Sequence, residues 1–115
     1  MKRMLGLVGT AAVLLLGVAA ADEPGNAIRG SAYARQMCAG CHAITADTAP
    51  SPFSAAPPFR RVAQKDTLNA ESFANWLGTA HPPINGVAIK PAIAGDILAY
   101  IRSLGVAKEN AQNNP

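Results

Sequence analysis

The sequence predicts an all-α protein, and two observations support that fold class. Apolar residues recur at spacings of three and four in two segments, the period of one helix face; they are Phe73, Trp76 and Leu77 in the first segment and Ala94, Ile97, Leu98, Ile101 and Leu104 in the second. No segment of useful length alternates apolar and polar residues as a half-buried strand does. At 115 residues the chain supports one domain.

The N-terminal segment is typical of a secretory signal peptide. Two basic residues precede an apolar run from Leu5 to Val18, and three alanines ending at Ala21 are small residues of the kind a signal peptidase reads. Cleavage there divides the chain into three parts: a signal peptide (1–21), a mature domain (22–104) and a polar tail (105–115). We expect the tail to be disordered and the protein to be periplasmic. The alternative is an uncleaved membrane anchor, since the segment from Leu5 to Ala21 is just long enough to span a bilayer; after cleavage we expect no stable membrane insertion.

The charge of the mature chain argues against a nucleic-acid partner. Loss of Lys2 and Arg3 leaves eight basic residues against seven acidic ones. Apart from the pair Arg60-Arg61 the basic residues are scattered, whereas nucleic-acid-binding domains carry a clustered basic surface. Solvent exposure is the simpler interpretation of the pair.

Three helices and a helical turn are predicted along the mature chain. Residues 26–37 permit a short helix that leads into Cys38, and residues 58–65 permit a brief turn. Residues 69–77 carry the first periodic segment, whose apolar face should be buried. The last helix begins at Pro91, a residue suited to a first helical position, and is predicted to end before Gly105.

Proline-rich loops separate these helices. Four prolines fall between Ala46 and Pro58, and three prolines with glycine fall between Gly78 and Pro91. Because proline lacks the backbone N–H and restricts φ, neither segment can form a helix interior or a central strand.

The stretch M-C-A-G-C-H-A, residues 37–43, holds both cysteines and one of the two histidines. Cys-x-x-Cys-His in an exported protein is the attachment signature of c-type haem: the thiols add to the two vinyl groups and the histidine binds the iron. Two intervening residues on a helical turn bring Cys38 and Cys41 to the porphyrin edge and let His42 reach the iron. We therefore predict one haem c as the cofactor.

Two other kinds of site use similar residues. A thioredoxin-like disulfide motif also has Cys-x-x-Cys, but its fold contains a central sheet for which this sequence has no strands. A zinc site could draw on Cys38, Cys41, His42 and His81. The adjacency of Cys41 and His42 is awkward for tetrahedral coordination, so haem attachment is the favoured interpretation.

The mature chain resembles the class I cytochromes c over nearly its whole length. Gly30 and Tyr33 precede C-A-G-C-H-A as in that family's N-terminal helix, A-P-P-F-R resembles its proline-containing proximal loop, and K-P-A-I-A-G-D-I-L-A-Y-I-R-S-L is similar to its C-terminal helix. The resemblance implies a cytochrome c-like fold, with three to four short helices around one covalently bound haem. It also implies that the first and last helices cross near Leu98 and Tyr100.

The resemblance further implies which side chains lie at the haem. The carbonyl of Pro57 or Pro58 would accept the second ring N–H of His42. Phe59, in the same loop, and Tyr100, in the last helix, are implied haem contacts. Trp76 would lie beside a haem propionate or pack on the haem.

The sequence departs from the family at the distal iron ligand. Relatives read like H-P-x-M-P before the last helix, whereas this chain reads H-P-P-I-N and has Ile84 in the methionine position. Its methionines are Met1, Met4 and Met37. The first two belong to the signal peptide and the third adjoins the attachment motif, so we expect no methionine ligand.

Three occupants of the sixth coordination position remain. His81 is favoured because it is the other histidine of the chain and lies in a loop stiffened by proline. The second is an open or water-filled position walled by Ile84. The third is Asn85 or Lys90.

Together these features predict a one-electron carrier between periplasmic redox proteins, with a dehydrogenase or an oxidase as partner. The competing hypothesis is a haem protein whose open or weakly ligated iron binds or senses a small molecule. A peroxide-reducing enzyme is disfavoured, because no acid/base pair is left once His42 and His81 are accounted for.

Overall fold

The computed structural model describes residues 25–65 and 68–113, and in these ranges it contains helices and no strands. The helices are α1 (Ala27–Met37), α2 (Phe59–Val62), which continues as a 3₁₀ turn (Ala63–Lys65), α3 (Ala70–Ala80) and α4 (Pro91–Asn113). The predicted all-α class is confirmed. The predicted signal peptide lies outside the described residues.

N-cap residues account for where α1 and α3 begin. The Asn26 side chain accepts a hydrogen bond from the Arg29 backbone N–H at 2.9 Å. Asn69 and Ser72 form a capping box on α3, in which each side chain accepts a hydrogen bond from the other residue's backbone N–H. Such caps satisfy N–H groups that have no partner inside the helix.

The predicted end of the last helix is wrong. α4 continues through Gly105 to Asn113, so the segment expected to be disordered is helical up to that residue. Glycine inside a helix costs only about 1 kcal/mol relative to alanine. A Cβ atom at Gly105 would lie 3.2 Å from the Cβ of Ala63, so this glycine allows close packing on the 3₁₀ turn. That the mature domain ends at residue 104 stays a prediction.

The core lies between α4 and the three shorter helices. Its buried side chains come mostly from the two predicted periodic segments; they are Ala34, Phe59, Phe73, Ala74, Leu77, Ala94, Ile97, Leu98, Ile101 and Leu104. Trp76 was expected on the buried face of α3, but it is 43% exposed. Within the described ranges, no helix combines the length and apolarity needed to cross a membrane.

The crossing of α1 and α4 is close because Gly30 has no side chain. A Cβ atom there would overlap the Asp96 carbonyl oxygen and lie 2.9 Å from the Cβ of Tyr100. Tyr100 is therefore at the crossing, as the resemblance implied. Its hydroxyl donates a hydrogen bond to the Ile44 carbonyl at 2.7 Å, which ties α4 to the chain just after His42.

A buried carboxylate ties the start of α1 to α4. Asp96 is 5% exposed and accepts hydrogen bonds from the Asn26 backbone N–H at 2.7 Å and from the Arg29 side chain at 2.8 and 3.1 Å. The hydrogen bond from Arg29 is the main reason that the pKa of Asp96 lies below its ordinary value, and the bond from Asn26 adds to it. The ionised form is thus the one that the fold stabilises.

We expect Gly30→Ala to destabilise the haem-loaded protein, because the added methyl group would force α1 away from α4. Overpacking of this kind costs roughly 1–3 kcal/mol, which a thermal or denaturant melt resolves. Gly95→Ala is the matched control within a helix, since a Cβ there would meet Ala70 at an ordinary 3.4 Å. The control should be as stable as the parent or more so. Equal stability of both variants would contradict the proposed close contact.

We expect Asp96→Asn to lower stability at neutral pH by about 1.5–3 kcal/mol, the usual contribution of hydrogen bonds to a charged group. The depressed pKa means that the carboxylate's contribution is present above the ordinary value of 3.8 and is lost as the pH falls below it. The difference between parent and variant should therefore shrink in acid. Asp47→Asn, in an exposed loop, is the control and should follow the parent. A difference that does not change with pH would rule out this linkage.

Candidate haem site

The Cys-x-x-Cys-His segment forms a tight turn directly after α1. The backbone N–H of Cys38 still donates to the Ala34 carbonyl at 2.9 Å, and those of Cys41 and His42 both donate to the Cys38 carbonyl, at 3.1 and 2.9 Å. The two thiols are free and partly buried. The turn therefore presents both sulfur atoms and the imidazole at one end of α1.

These three side chains open onto an apolar cavity of about 700 Å³. Its walls come from α2, α3, α4 and the two proline-rich loops, and no Asp, Glu, Lys or Arg lines it among the residues that the structure describes. Eight of the predicted site residues line it: Cys38, Cys41, His42, Pro57, Phe59, Trp76, His81 and Ile84.

His42 is held in one orientation. Its Nδ1 lies 2.7 Å from the Pro57 carbonyl oxygen, which can only accept, so Nδ1 carries the proton. The carbonyl is thus that of Pro57 and not that of Pro58. The Phe59 ring lies against the imidazole with ring centres 5.4 Å apart. In this tautomer of the neutral ring, Nε2 is the nitrogen with the lone pair that a metal ligand requires.

His81 follows α3 as its C-cap residue and faces His42, with ring centres 5.7 Å apart and planes at 64°. Burial lowers the pKa of His81, and repulsion from His42 lowers it further. Both effects favour the neutral imidazole. Trp76 stacks on His81, with ring centres 4.6 Å apart and planes at 18°.

Burial raises the pKa of the Cys38 thiol to about 11. A thiolate is therefore disfavoured at this position in the folded chain. A thioether carries no charge, so the covalent product of haem attachment suits this environment better than the ionised cysteine does.

Four residues named for the haem surroundings lie outside the lining of the cavity, and the haem contacts expected of Pro58 and Tyr100 stay predictions. Pro58 and Tyr100 do not line the cavity: Pro58 precedes α2 as its N-cap, and the Tyr100 hydroxyl points to Ile44. Asn85 and Lys90 are exposed and also lie outside the lining.

Sequence reasoning missed much of the apolar wall. The additional large side chains are Met37, Phe53, Val62, Phe73, Leu77, Ile89, Ile97 and Ile101. Helical periodicity marked four of these residues, Phe73, Leu77, Ile97 and Ile101, as buried, but it gave no signal that their common neighbour is a cavity. Phe53 lies in a proline-rich loop without periodicity, so nothing in the local pattern could identify it.

An all-helical fold with a Cys-x-x-Cys-His turn opening onto an apolar cavity defines a haem protein. Cytochrome c-552 of Bradyrhizobium diazoefficiens is 32% identical over 94 residues, which cover 79% of this chain and 89% of that protein. The chain belongs to the c-type cytochromes, a family of electron-transfer proteins whose cofactor is haem c. No family model matches the sequence, and no solved structure matches it.

The donor set fits a haem better than it fits a bare metal ion. No group of three or more His, Cys, Asp or Glu side chains that could hold a metal occurs in the described part of the chain. Two imidazoles would fill only two positions of a six-coordinate metal ion. A porphyrin would supply the other four ligands.

Proposed function

We propose that this protein is a periplasmic carrier of single electrons that holds one haem c, bound covalently by Cys38 and Cys41, with His42 as proximal and His81 as distal iron ligand. One observation carries the proposal: two free thiols and an oriented imidazole share one end of an apolar cavity that a second imidazole faces. The predicted signal peptide is the support for the periplasmic location.

Each protein group has a separate task in this proposal. When bound, the haem supplies an iron that cycles between the ferric and ferrous states. Cys38 and Cys41 fix its edge, and the Pro57 carbonyl fixes the tautomer and ring plane of His42. The apolar wall keeps water from the site and so contributes to the reduction potential.

His81 is the proposed sixth ligand because the alternatives lack support. The mature sequence has no methionine after Met37, and Ile84 lines the cavity where relatives carry one. Asn85 and Lys90 lie outside the lining. A histidine in place of the thioether is expected to lower the reduction potential, since methionine ligation raises it.

The partners in this proposal are redox proteins of the periplasm, a dehydrogenase as donor or an oxidase as acceptor. We assign no enzymatic reaction, because His42 and His81 both serve as iron ligands and are then unavailable as acid or base.

Replacing the thiols should prevent covalent attachment. In a host that expresses the periplasmic maturation machinery, the parent should give a haem-stained band on a denaturing gel, and Cys38→Ala/Cys41→Ala should give none. Met37→Leu is the control, since it changes the neighbouring cavity wall at nearly constant volume and should leave the stain intact. An unstained parent, beside a control cytochrome that matures normally, would refute the attachment.

Removing the His81 side chain should leave the sixth coordination position of the iron without a protein ligand. The ferric parent should be low-spin at neutral pH, and His81→Ala should be largely high-spin and bind carbon monoxide when reduced. Added imidazole should restore the low-spin spectrum of the variant, and Lys90→Ala should behave as the parent. A high-spin parent would favour the small-molecule-binding hypothesis, and a low-spin His81→Ala variant would exclude His81 as the ligand.

A further inference from the structure

The two imidazoles at the cavity are held in different ways. His42 donates a hydrogen bond to the Pro57 carbonyl. The His81 side chain has no hydrogen-bond partner among the residues that the structure describes. Metal-binding histidines usually have their second ring nitrogen hydrogen-bonded, which fixes the ring plane. Some other contact must therefore orient His81.

The backbone at His81 does not orient the ring by itself. The residue follows the last turn of α3 with φ −107° and ψ 94°, an extended conformation in which the side chain can rotate. The loop returns to α3 through the Gly86 backbone N–H, which donates to the Gly78 carbonyl at 2.6 Å. That hydrogen bond fixes the path of the loop and leaves the imidazole free to turn.

A stack of aromatic rings restricts this rotation. The buried Phe73 ring stacks on Trp76, with ring centres 6.2 Å apart and planes at 15°, and Trp76 stacks on His81 at 4.6 Å and 18°. Phe73 and Trp76 are both on α3, so a rigid element supports the indole. The indole covers one face of the imidazole, whose ring centre lies 5.7 Å from that of His42.

We propose that Trp76 is a positioning residue: its indole holds the imidazole of His81 in the plane in which it binds the haem iron. The inference rests on the proposed ligation by His81. It adds that the Trp76 indole takes the place of the hydrogen bond that usually fixes the ring plane of a metal-binding histidine. Aromatic stacking has a typical strength that corresponds to about a two- to tenfold change in an equilibrium. Loss of the stack should therefore weaken the iron–His81 bond by that factor without removing the ligand.

The test compares Trp76→Leu and Trp76→Phe in the haem-loaded protein. Trp76→Leu keeps an apolar side chain but loses the stack, so the ferrous protein should bind carbon monoxide about two- to tenfold faster, and the low-spin ferric EPR signal should broaden or shift. Trp76→Phe keeps a ring and should restore most of the parent behaviour. Val87→Ala is the control, because Val87 lies in the same loop as His81 and is 52% exposed, but it does not line the haem cavity.

The outcomes separate this inference from the ligation on which it rests. If His81→Ala opens the iron but Trp76→Leu behaves as the parent, His81 is the ligand and the positioning role is wrong. If Trp76→Leu and Trp76→Phe are impaired equally, or if Val87→Ala gives the same change, stacking is not the cause. If His81→Ala leaves the iron low-spin, both the ligation and the positioning fail. Thermal melts of each variant show whether a spectral change merely follows loss of folding.

Discussion

The close crossing of α1 and α4 is the contact on which the rest of the site depends. α1 is only 11 residues long, and the Cys-x-x-Cys-His turn follows its last residue directly. Any change in the angle of α1 would therefore move both thiols and His42 relative to the cavity. α4 fixes that angle from both sides of the turn: Asp96 binds the start of α1, and Tyr100 binds the chain after His42. The absence of a side chain at Gly30 lets the two helices come close enough for both contacts.

The two sides of the cavity differ in how they are held. On the proximal side, backbone hydrogen bonds from Phe53 to Cys41 and from Phe59 to Ala43 surround the turn, and the Pro57 carbonyl binds His42. On the distal side, the loop after His81 has two backbone hydrogen bonds, from Gly86 to Gly78 and from Val87 to Ile84, and the His81 ring has a stacking contact with Trp76 and no hydrogen bond among the described residues. Local opening requires less free energy where fewer bonds break. In the proposed function, the loop that carries His81 should therefore open more readily than the turn that carries His42.

The parts of this structure that sequence could predict are those governed by local patterns. Helical period located α3 and α4, and the Cys-x-x-Cys-His spacing located the turn. The relations that sequence missed join residues through tertiary packing: Gly105 reads as a helix end but packs on Ala63, and the Tyr100 hydroxyl binds Ile44 instead of lining the cavity. The stacking of Trp76 on His81 joins residues that are close in sequence, yet helical period alone does not predict it. The residues are five apart, so they meet only because the chain leaves the helix at His81 in an extended conformation.

If the protein is the proposed one-electron carrier, the contacts of the two histidines would suit an iron that changes charge. His42 is held by a hydrogen bond to a neutral carbonyl and His81 by the face of an uncharged indole. No charged side chain lines the cavity in the described residues, so none is placed to bind one oxidation state more strongly through a direct ion pair. A carrier has to keep the same ligands when it gains and loses an electron. Neutral contacts on both sides favour that behaviour, because their strength depends little on whether the iron is ferric or ferrous.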